Sequence, residues 1–138
     1  MTLHSMPTRP LLAALFLTLA STCVQADWVR ITTSEDSKVS TYADPDTART
    51  IGTRVQLMTL TDYRDAQVIS GEQKFNSVTM QDEFNCNDGT GRHMNLSAMS
   101  DNMGKGTTVA AETKPAPVRL IREATADGEM LRFACTRK

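Results

Sequence analysis

The chain is poor in aromatic residues and has no long run of basic residues. Only 5% of its 138 residues are Phe, Trp or Tyr, and the formal net charge is -1 at pH 7. No run of Lys and Arg is longer than Arg137 and Lys138 at the end of the chain. Nucleic-acid binding needs a basic patch, and stacking on bases needs aromatic side chains. These shortages argue against a nucleic-acid partner, and the length predicts one domain.

Long hydrophobic runs are also missing, except near the N-terminus. Residues 11–20 form an apolar run after the weakly basic segment that contains His4 and Arg9, and Val24-Gln25-Ala26 resembles a signal-peptidase site. We therefore predict a signal peptide over residues 1–26, cleavage before Asp27, and a single domain over residues 27–138. A transmembrane anchor is the alternative, but an apolar run over residues 11–20 is too short to cross a hydrocarbon core of about 30 Å.

A second alternative for the leader is a lipoprotein signal in which Cys23 is acylated. Such a signal has a Leu-like residue three positions before the cysteine and Gly, Ala or Ser directly before it. Here Ala20 and Thr22 occupy those positions. We therefore expect an exported protein that is periplasmic or secreted, with anchoring to the outer membrane through Cys23 as the alternative.

Cysteine is scarce, and its count limits the pairing. Of three cysteines, Cys23 would leave with the signal peptide, so Cys86 and Cys135 remain as the one pairing that is left. An exported protein can form this disulfide, and closing a loop of about 50 residues predicts a stabilisation of about 4 kcal/mol. Two buried free thiols are the alternative.

The stretch from Ser77 to Cys86 shows the alternation of a half-buried strand. Its apolar side carries Val78, Met80, Phe84 and Cys86, and Asp82 is the one break on that side. Similar patterns predict further strands over residues 28–33, 38–43, 51–63, 92–100 and 107–113, with residues 74–86 as the fourth of six. Strands that follow one another without helices favour an antiparallel meander.

Turn residues separate these strands, and a helix follows them. We predict a turn or a single helical turn at 44–47, a polar connection over 64–71, and no clear state for 118–121. A helix that begins at Thr125 or Asp127 and ends at Cys135 would bury Met130, Leu131, Ala134 and Cys135. Because both sides of residues 51–63 carry apolar residues, we expect the second side to be covered too, by this helix. The fold class is thus α+β, a six-stranded antiparallel meander with a C-terminal helix linked to it by the disulfide.

Catalytic and metal-binding chemistry is not indicated. Asp82 and Glu83 point to opposite sides of their strand, so they do not form an acid and base pair. Asp82 is expected to pair with Arg92 or Arg132, and His93 to lie on the polar side of its strand. A calcium loop at Asp44 and Asp46 would have too few oxygen ligands, and the methionines are expected in the core rather than at a copper site. We predict no enzyme, no cofactor, no metal site and no catalytic residue.

The sequence resembles the bacterial surface-adhesin protein E family over almost the whole mature chain. The resemblance is carried by the segments 28–30, 42–45 and 60–63, the strand that ends at Cys86, Arg92, the segment 103–106 and the segment from Gly128 to Cys135. It implies a six-stranded antiparallel sheet with a disulfide-fixed C-terminal helix. It also implies dimers at the outer membrane and the host partners vitronectin, laminin and plasminogen.

Three functions from different classes follow. The first is a non-enzymatic exported binding module, which meets host extracellular-matrix proteins or an envelope macromolecule. The alternative is a periplasmic inhibitor or a small-ligand-binding protein, a use that small disulfide-bonded β domains often have. A hydrolase would need several polar side chains that converge in a cleft, and the sequence shows no such set. Two features differ from the family, the residues around Cys23 and the lack of a lysine-rich segment in the middle of the chain.

Overall fold

The computed structural model describes residues 25–137, in which one antiparallel sheet carries one helix. Apart from Gln25 and Ala26, the predicted leader lies outside the described residues. The sheet runs in sequence order from β1 to β6, and this confirms the predicted meander. The elements are β1 (Val29–Thr33), β2 (Val39–Ile51), β3 (Arg54–Val68), β4 (Lys74–Asn85), β5 (Thr90–Met99), β6 (Thr108–Glu112), β7 (Arg119–Leu120) and α1 (Ala126–Thr136).

The segment without a clear predicted state contains β7, which pairs with β5 beside the end of β6. Arg119 lies opposite Gly91 and Leu120 lies opposite Thr90. The next residue, Ile121, donates its amide hydrogen to the carbonyl oxygen of Gly89 at 3.0 Å and is buried. The chain is thereby fixed to the sheet directly before α1.

The central strands β3 and β4 are buried on both sides, and we name the two sides of the sheet after what covers them. On the helix face, Val55 lies opposite Phe84 and Leu57 lies opposite Asp82. On the loop face, Leu60 and Ser77 are both fully buried. The core is on the helix face, where α1 covers one end of the sheet; it consists of Ala43, Val55, Leu57, Phe84, Ile121, Met130 and Ala134.

The loop face is covered by a loop, which corrects our expectation that α1 would cover the second side of β3. A 3₁₀ turn over Asn102–Gly104 lies on it. The Ser77 hydroxyl donates to the carbonyl oxygen of Asp101 at 2.6 Å and accepts from the Gly104 amide at 2.9 Å. A strand with apolar residues on both sides shows that two covers exist, but it does not show which segment provides each of them.

The turn predicted at 44–47 is wrong, because β2 continues through it as a bulge. The pairing with β3 breaks between Asp44 and Arg49. Side chains replace the missing ladder bonds: an Asp44 carboxylate oxygen accepts from the Asp46 amide at 3.1 Å, and the Thr47 hydroxyl accepts from the Met58 amide at 2.8 Å. Pro45 cannot donate to a ladder, and a bulge is one of the places in a sheet that tolerate it.

The polar connection predicted over 64–71 is also wrong in its first part. β3 continues to Val68 and pairs with the start of β4, after a second break in register between Asp62 and Gln67. Polar residues were the reason for predicting a loop. An exposed end of a strand can carry polar residues as well as a loop can, so composition did not separate the two.

Helix α1 begins at Ala126 with Thr125 as its N-cap, which is the first of the two predicted caps, Thr125 and Asp127. The Thr125 hydroxyl accepts from the Gly128 amide at 3.1 Å, which is the bond of an N-cap. Glycine has a low helix propensity, so the need for a glycine at position 128 was not evident from the sequence. A Cβ at this position would overlap the carbonyl oxygens of Arg122 and Glu123, so the close return of the chain before α1 requires a glycine.

The predicted disulfide is confirmed. Cys86 follows the end of β4 and is bonded to Cys135 in the last turn of α1, across a sequence separation of 49. Four residues before Cys135, Leu131 packs against the core. The bond therefore holds α1 over the apolar end of the sheet.

We expect Cys135→Ser to lower the free energy of unfolding by about 2 to 5 kcal/mol, the usual range for one native disulfide in a small exported domain. Cys86→Ser and the double variant should lose the same amount, because all three remove one bond. Denaturant unfolding measures these losses, and reduced wild-type protein is the matched control. Single losses that add up in the double variant would contradict the role of this bond.

Candidate functional site

Two neighbouring carboxylates in β4 organise the polar residues of the sheet. Asp82 lies on the helix face and Glu83 on the loop face, as their register against Leu57 and Gln56 shows. Both side chains are buried. A buried carboxylate is stable only where donors surround it, so each marks a polar cluster inside the fold.

On the helix face, Asp82 accepts two hydrogen bonds. The Thr59 hydroxyl donates to its Oδ2 at 2.7 Å, and Nδ1 of His93 lies 2.5 Å from its Oδ1. The hydrogen bond to Asp82 is the main cause that raises the pKa of His93; partial burial and Arg119 oppose the rise, and Asp127 supports it. Asp82 and His93 therefore form an ion pair when the imidazole is protonated.

The position of His93 differs from the prediction, which put it on the polar side of β5. The pairing of β4 with β5 shifts between Gln81 and Asp82, so that Gln81 lies opposite Asn95 while Asp82 lies opposite His93. Met94 is the extra residue of this bulge. One extra residue reverses the alternation of a strand, and it brings His93 onto the helix face.

The partners predicted for Asp82 are wrong for the same reason. Arg92 lies opposite Glu83, and its Nη2 is 2.9 Å from Glu83 Oε1. Arg132 instead pairs with Glu129 within α1 at 3.0 Å. A regular alternation would have carried Arg92 to the other side, whereas the bulge turns it to the loop face.

The cluster around Glu83 is more strongly charged. The amide of Gln56 donates to Glu83 Oε2 at 2.7 Å, and Nε of Arg92 donates to Oε1 at 3.0 Å. The Gln56 hydrogen bond is the largest of the causes that lower the pKa of Glu83, and the charges of Arg92 and Arg54 add to it against the effect of burial. Glu83 is therefore an anion that holds Arg92 in place.

A cavity of about 100 Å³ adjoins this cluster and is lined by Arg54, Glu83, Asn85, Asp88, Thr90, Gly91, Arg92 and Val118. Its volume is well below the roughly 300 to 1,000 Å³ of ligand pockets.

Among residues 25–137, no group of three or more His, Cys, Asp or Glu side chains is placed to hold a metal ion. This part of the chain includes Asp44 and Asp46, the two carboxylates of the calcium loop that was considered from the sequence. Nor does any helix in this part of the chain have the length and apolarity to span a bilayer.

Two other features of the surface were not predicted from the sequence. The extended segment 117–120 is exposed, and the exposed fractions of Val118 and Leu120 are 58% and 74%. Trp28 lines a groove with the loop that covers the loop face. The alternation of Val118 and Leu120 could have predicted an extended segment there. No sequence signal predicts that Trp28 lies beside the loop at 102–105.

A six-stranded meander with one disulfide-linked helix defines a class of small disulfide-bonded α+β domain. Within this class, the chain belongs to the surface-adhesin protein E family, whose sequence profile matches residues 28–136. This confirms the resemblance of segments 28–30, 42–45 and 60–63 and the cysteine positions to that family. Membership of the family supports an adhesin-like protein that is exported or at the surface.

Solved structures of Haemophilus influenzae protein E have the same fold. One has 12% sequence identity and a TM-score of 0.62, with 82% of this chain and 86% of that chain covered. The crystal structure of protein E from non-typeable Haemophilus influenzae has 15% identity and a TM-score of 0.56, with 83% and 76% covered. At these identities the likeness shows the fold alone. A comparison with curated proteins gives no match.

His93 allows a direct test of the helix-face cluster, since the other histidine, His4, is in the predicted leader. A raised pKa means that the contact with Asp82 stabilises the fold fully below about pH 6.5, and that this contribution is lost as the pH rises through the folded-state pKa. Titration of the imidazole by NMR should give a pKa above the ordinary value. Asp82→Asn should lower it.

Glu83→Gln is the matched control, because it removes the neighbouring carboxylate on the opposite face. It should leave the pKa of His93 unchanged. A wild-type pKa at or below the ordinary value, or equal shifts in the two variants, would contradict the pairing of His93 with Asp82.

Proposed function

We propose that the chain is a non-enzymatic exported binding module, which meets host extracellular-matrix proteins or an envelope macromolecule through an edge of its sheet. Membership of the surface-adhesin protein E family carries this proposal. The family resemblance implies vitronectin, laminin and plasminogen as the host proteins to test. The proposal includes removal of residues 1–26, no acyl chain on Cys23, and one domain over the rest of the chain.

The strand β7 provides a contact surface suited to this role. Arg119 pairs with Gly91 and Ile121 donates to Gly89, so the backbone groups of Leu120 point away from β5. Val118 and Leu120 are two residues apart in an extended segment and share one side of it. An edge with free backbone groups and exposed apolar side chains can accept an added strand.

The sheet has further edges that bear on a homodimer. The outer side of β1 is unpaired in the described sheet, and a bulge between Arg30 and Thr32 interrupts it. Bulges of this kind hinder the addition of another strand. We therefore propose β7 rather than β1 as the edge that contacts a partner, including a second copy of this chain.

Binding of processed protein to immobilised vitronectin, laminin and plasminogen tests the proposal. We expect saturable binding to at least one of them. Leu120→Lys should weaken it about tenfold, or about 1.4 kcal/mol, because a charge replaces the exposed apolar contact. Val68→Lys is the control, since Val68 is similarly exposed, at 59%, in a different strand.

Binding to none of the three proteins, together with a strictly periplasmic location, would contradict the host-binding proposal. Equal effects of Leu120→Lys and Val68→Lys would contradict the assignment to β7. Sizing of both variants separates loss of a dimer from loss of binding, and a diacylglyceryl mass on Cys23 would reverse the proposed localisation.

A further inference from the structure

A groove of about 410 Å³ lies where the N-terminal segment meets the loop that covers the loop face. Its lining consists of Gln25, Ala26, Trp28, Met103, Gly104 and Lys105. This volume is within the range of small-molecule sites, roughly 300 to 1,000 Å³. Neither the adhesin proposal nor the two carboxylate clusters involve this groove.

Met103 is held in a conformation that methionine rarely adopts. Its φ is 59° and its ψ is 34°, in the left-handed region, and it is one of two non-glycine residues with positive φ within residues 25–137, beside Ser37. Ser37 belongs to the hairpin turn between β1 and β2, where such values are common. Met103 lies instead in the loop between β5 and β6, directly before Gly104. Residues held in rarely adopted backbone conformations cluster at functional sites.

The surrounding loop is fixed by several side chains of the sheet. An Asp62 carboxylate oxygen accepts from the Met103 amide at 2.7 Å and from the Asn102 side chain at 3.1 Å. Asn102 also donates to the carbonyl oxygen of Tyr63 at 2.8 Å. Gly104 has a positive φ of 71°, and a Cβ there would come within 2.9 Å of Thr79. The position of Met103 is thus determined by the sheet beneath it.

Apart from Gln25, the residues that line the groove are apolar or glycine, with Lys105 as the one cation. Trp28 offers an indole and Met103 a polarisable thioether that suits irregular apolar ligands. Lys105 is the one charged residue of the lining; it is exposed and makes no salt bridge within residues 25–137.

We propose that this groove binds a small apolar carboxylate, of the chemical class of medium-chain fatty acids. Its apolar part would lie against Trp28 and Met103, and its carboxylate would face Lys105. Charge complementarity selects an anion, because no Asp or Glu belongs to the lining. Asp27 is next to Trp28 in the chain but does not line the groove.

The proposed removal of residues 1–26 affects one wall of this site. Gln25 and Ala26 would leave with the leader, while Trp28, Met103, Gly104 and Lys105 would remain. The volume of about 410 Å³ includes the space beside Gln25 and Ala26, so binding by processed protein tests whether Trp28, Met103, Gly104 and Lys105 suffice. The proposal does not depend on β7, and a failure at either surface leaves the other unaffected.

Trp28 is the one tryptophan of the chain, so its fluorescence reports directly on this groove. The probes are octanoate and octylammonium, which share an alkyl chain and differ in charge, each below its micelle-forming concentration. We expect octanoate to cause a saturable blue shift with an apparent Kd at least about tenfold lower than that of octylammonium. Lys105→Gln should weaken octanoate binding by about threefold to fivefold, as expected for an exposed ion pair.

Lys114→Gln is the matched control, because Lys114 is exposed and outside the groove; it should bind octanoate as the wild type does. Met103→Gly relieves the positive φ, so it should not lower the unfolding midpoint, yet it should weaken binding through loss of the thioether. Equal responses to the two probes would overturn the proposal. Equal behaviour of the two lysine variants, or unchanged binding by Met103→Gly, would also overturn it.

Discussion

The burial of α1 against the apolar end of the sheet, fixed by the bond between Cys86 and Cys135, is the contact on which the domain depends. The helix has eleven residues, too few to be stable alone in water. It gains stability because Met130 and Ala134 are buried against Phe84 and Val55. The disulfide keeps the two partners together, and without α1 the core on the helix face would be open to solvent.

A second constraint is the pair of buried carboxylates in β4. Adjacent residues of a strand face opposite sides, so Asp82 and Glu83 place one buried carboxylate on each face of the sheet. The bulge at Met94 supplies a separate partner to each of them, His93 to Asp82 and Arg92 to Glu83. A regular β5 could not have turned Arg92 and His93 to the faces on which they are needed.

The parts of the fold that follow from period and cysteine count were predictable. The alternation of Val78, Met80 and Phe84 identified β4 and its helix face, although the other face of β4 is buried as well, and the two remaining cysteines could pair in one way. Two of the errors have one cause, since Pro45 in β2 and Met94 in β5 are both in bulges that keep a strand going while changing its alternation. Single residues decide such bulges, and their effect depends on the neighbouring strand.

The candidate sites were less predictable than the fold. A groove between Trp28 and Met103 joins segments that are 75 residues apart by their numbers. The left-handed turn at Met103 is held by the bond of its amide to Asp62 and by the bond of the Gly104 amide to Ser77, which lie in other strands. The exposed side of β7 was closer to prediction. Val118 and Leu120 alternate in the sequence, but only the pairing of Arg119 with β5 shows which of their backbone groups are free.

Hydrogen exchange of the α1 amides, followed before and after reduction of the disulfide, tests the dependence on this contact most directly. Helix amides exchange through local opening when packing is weakened, whereas the amides of a central strand need a larger opening. We predict that reduction greatly accelerates exchange in α1 and leaves β3 and β4 the slowest elements of the domain. Unchanged protection of α1 in the reduced protein, or equal loss of protection in α1 and β3, would contradict the account.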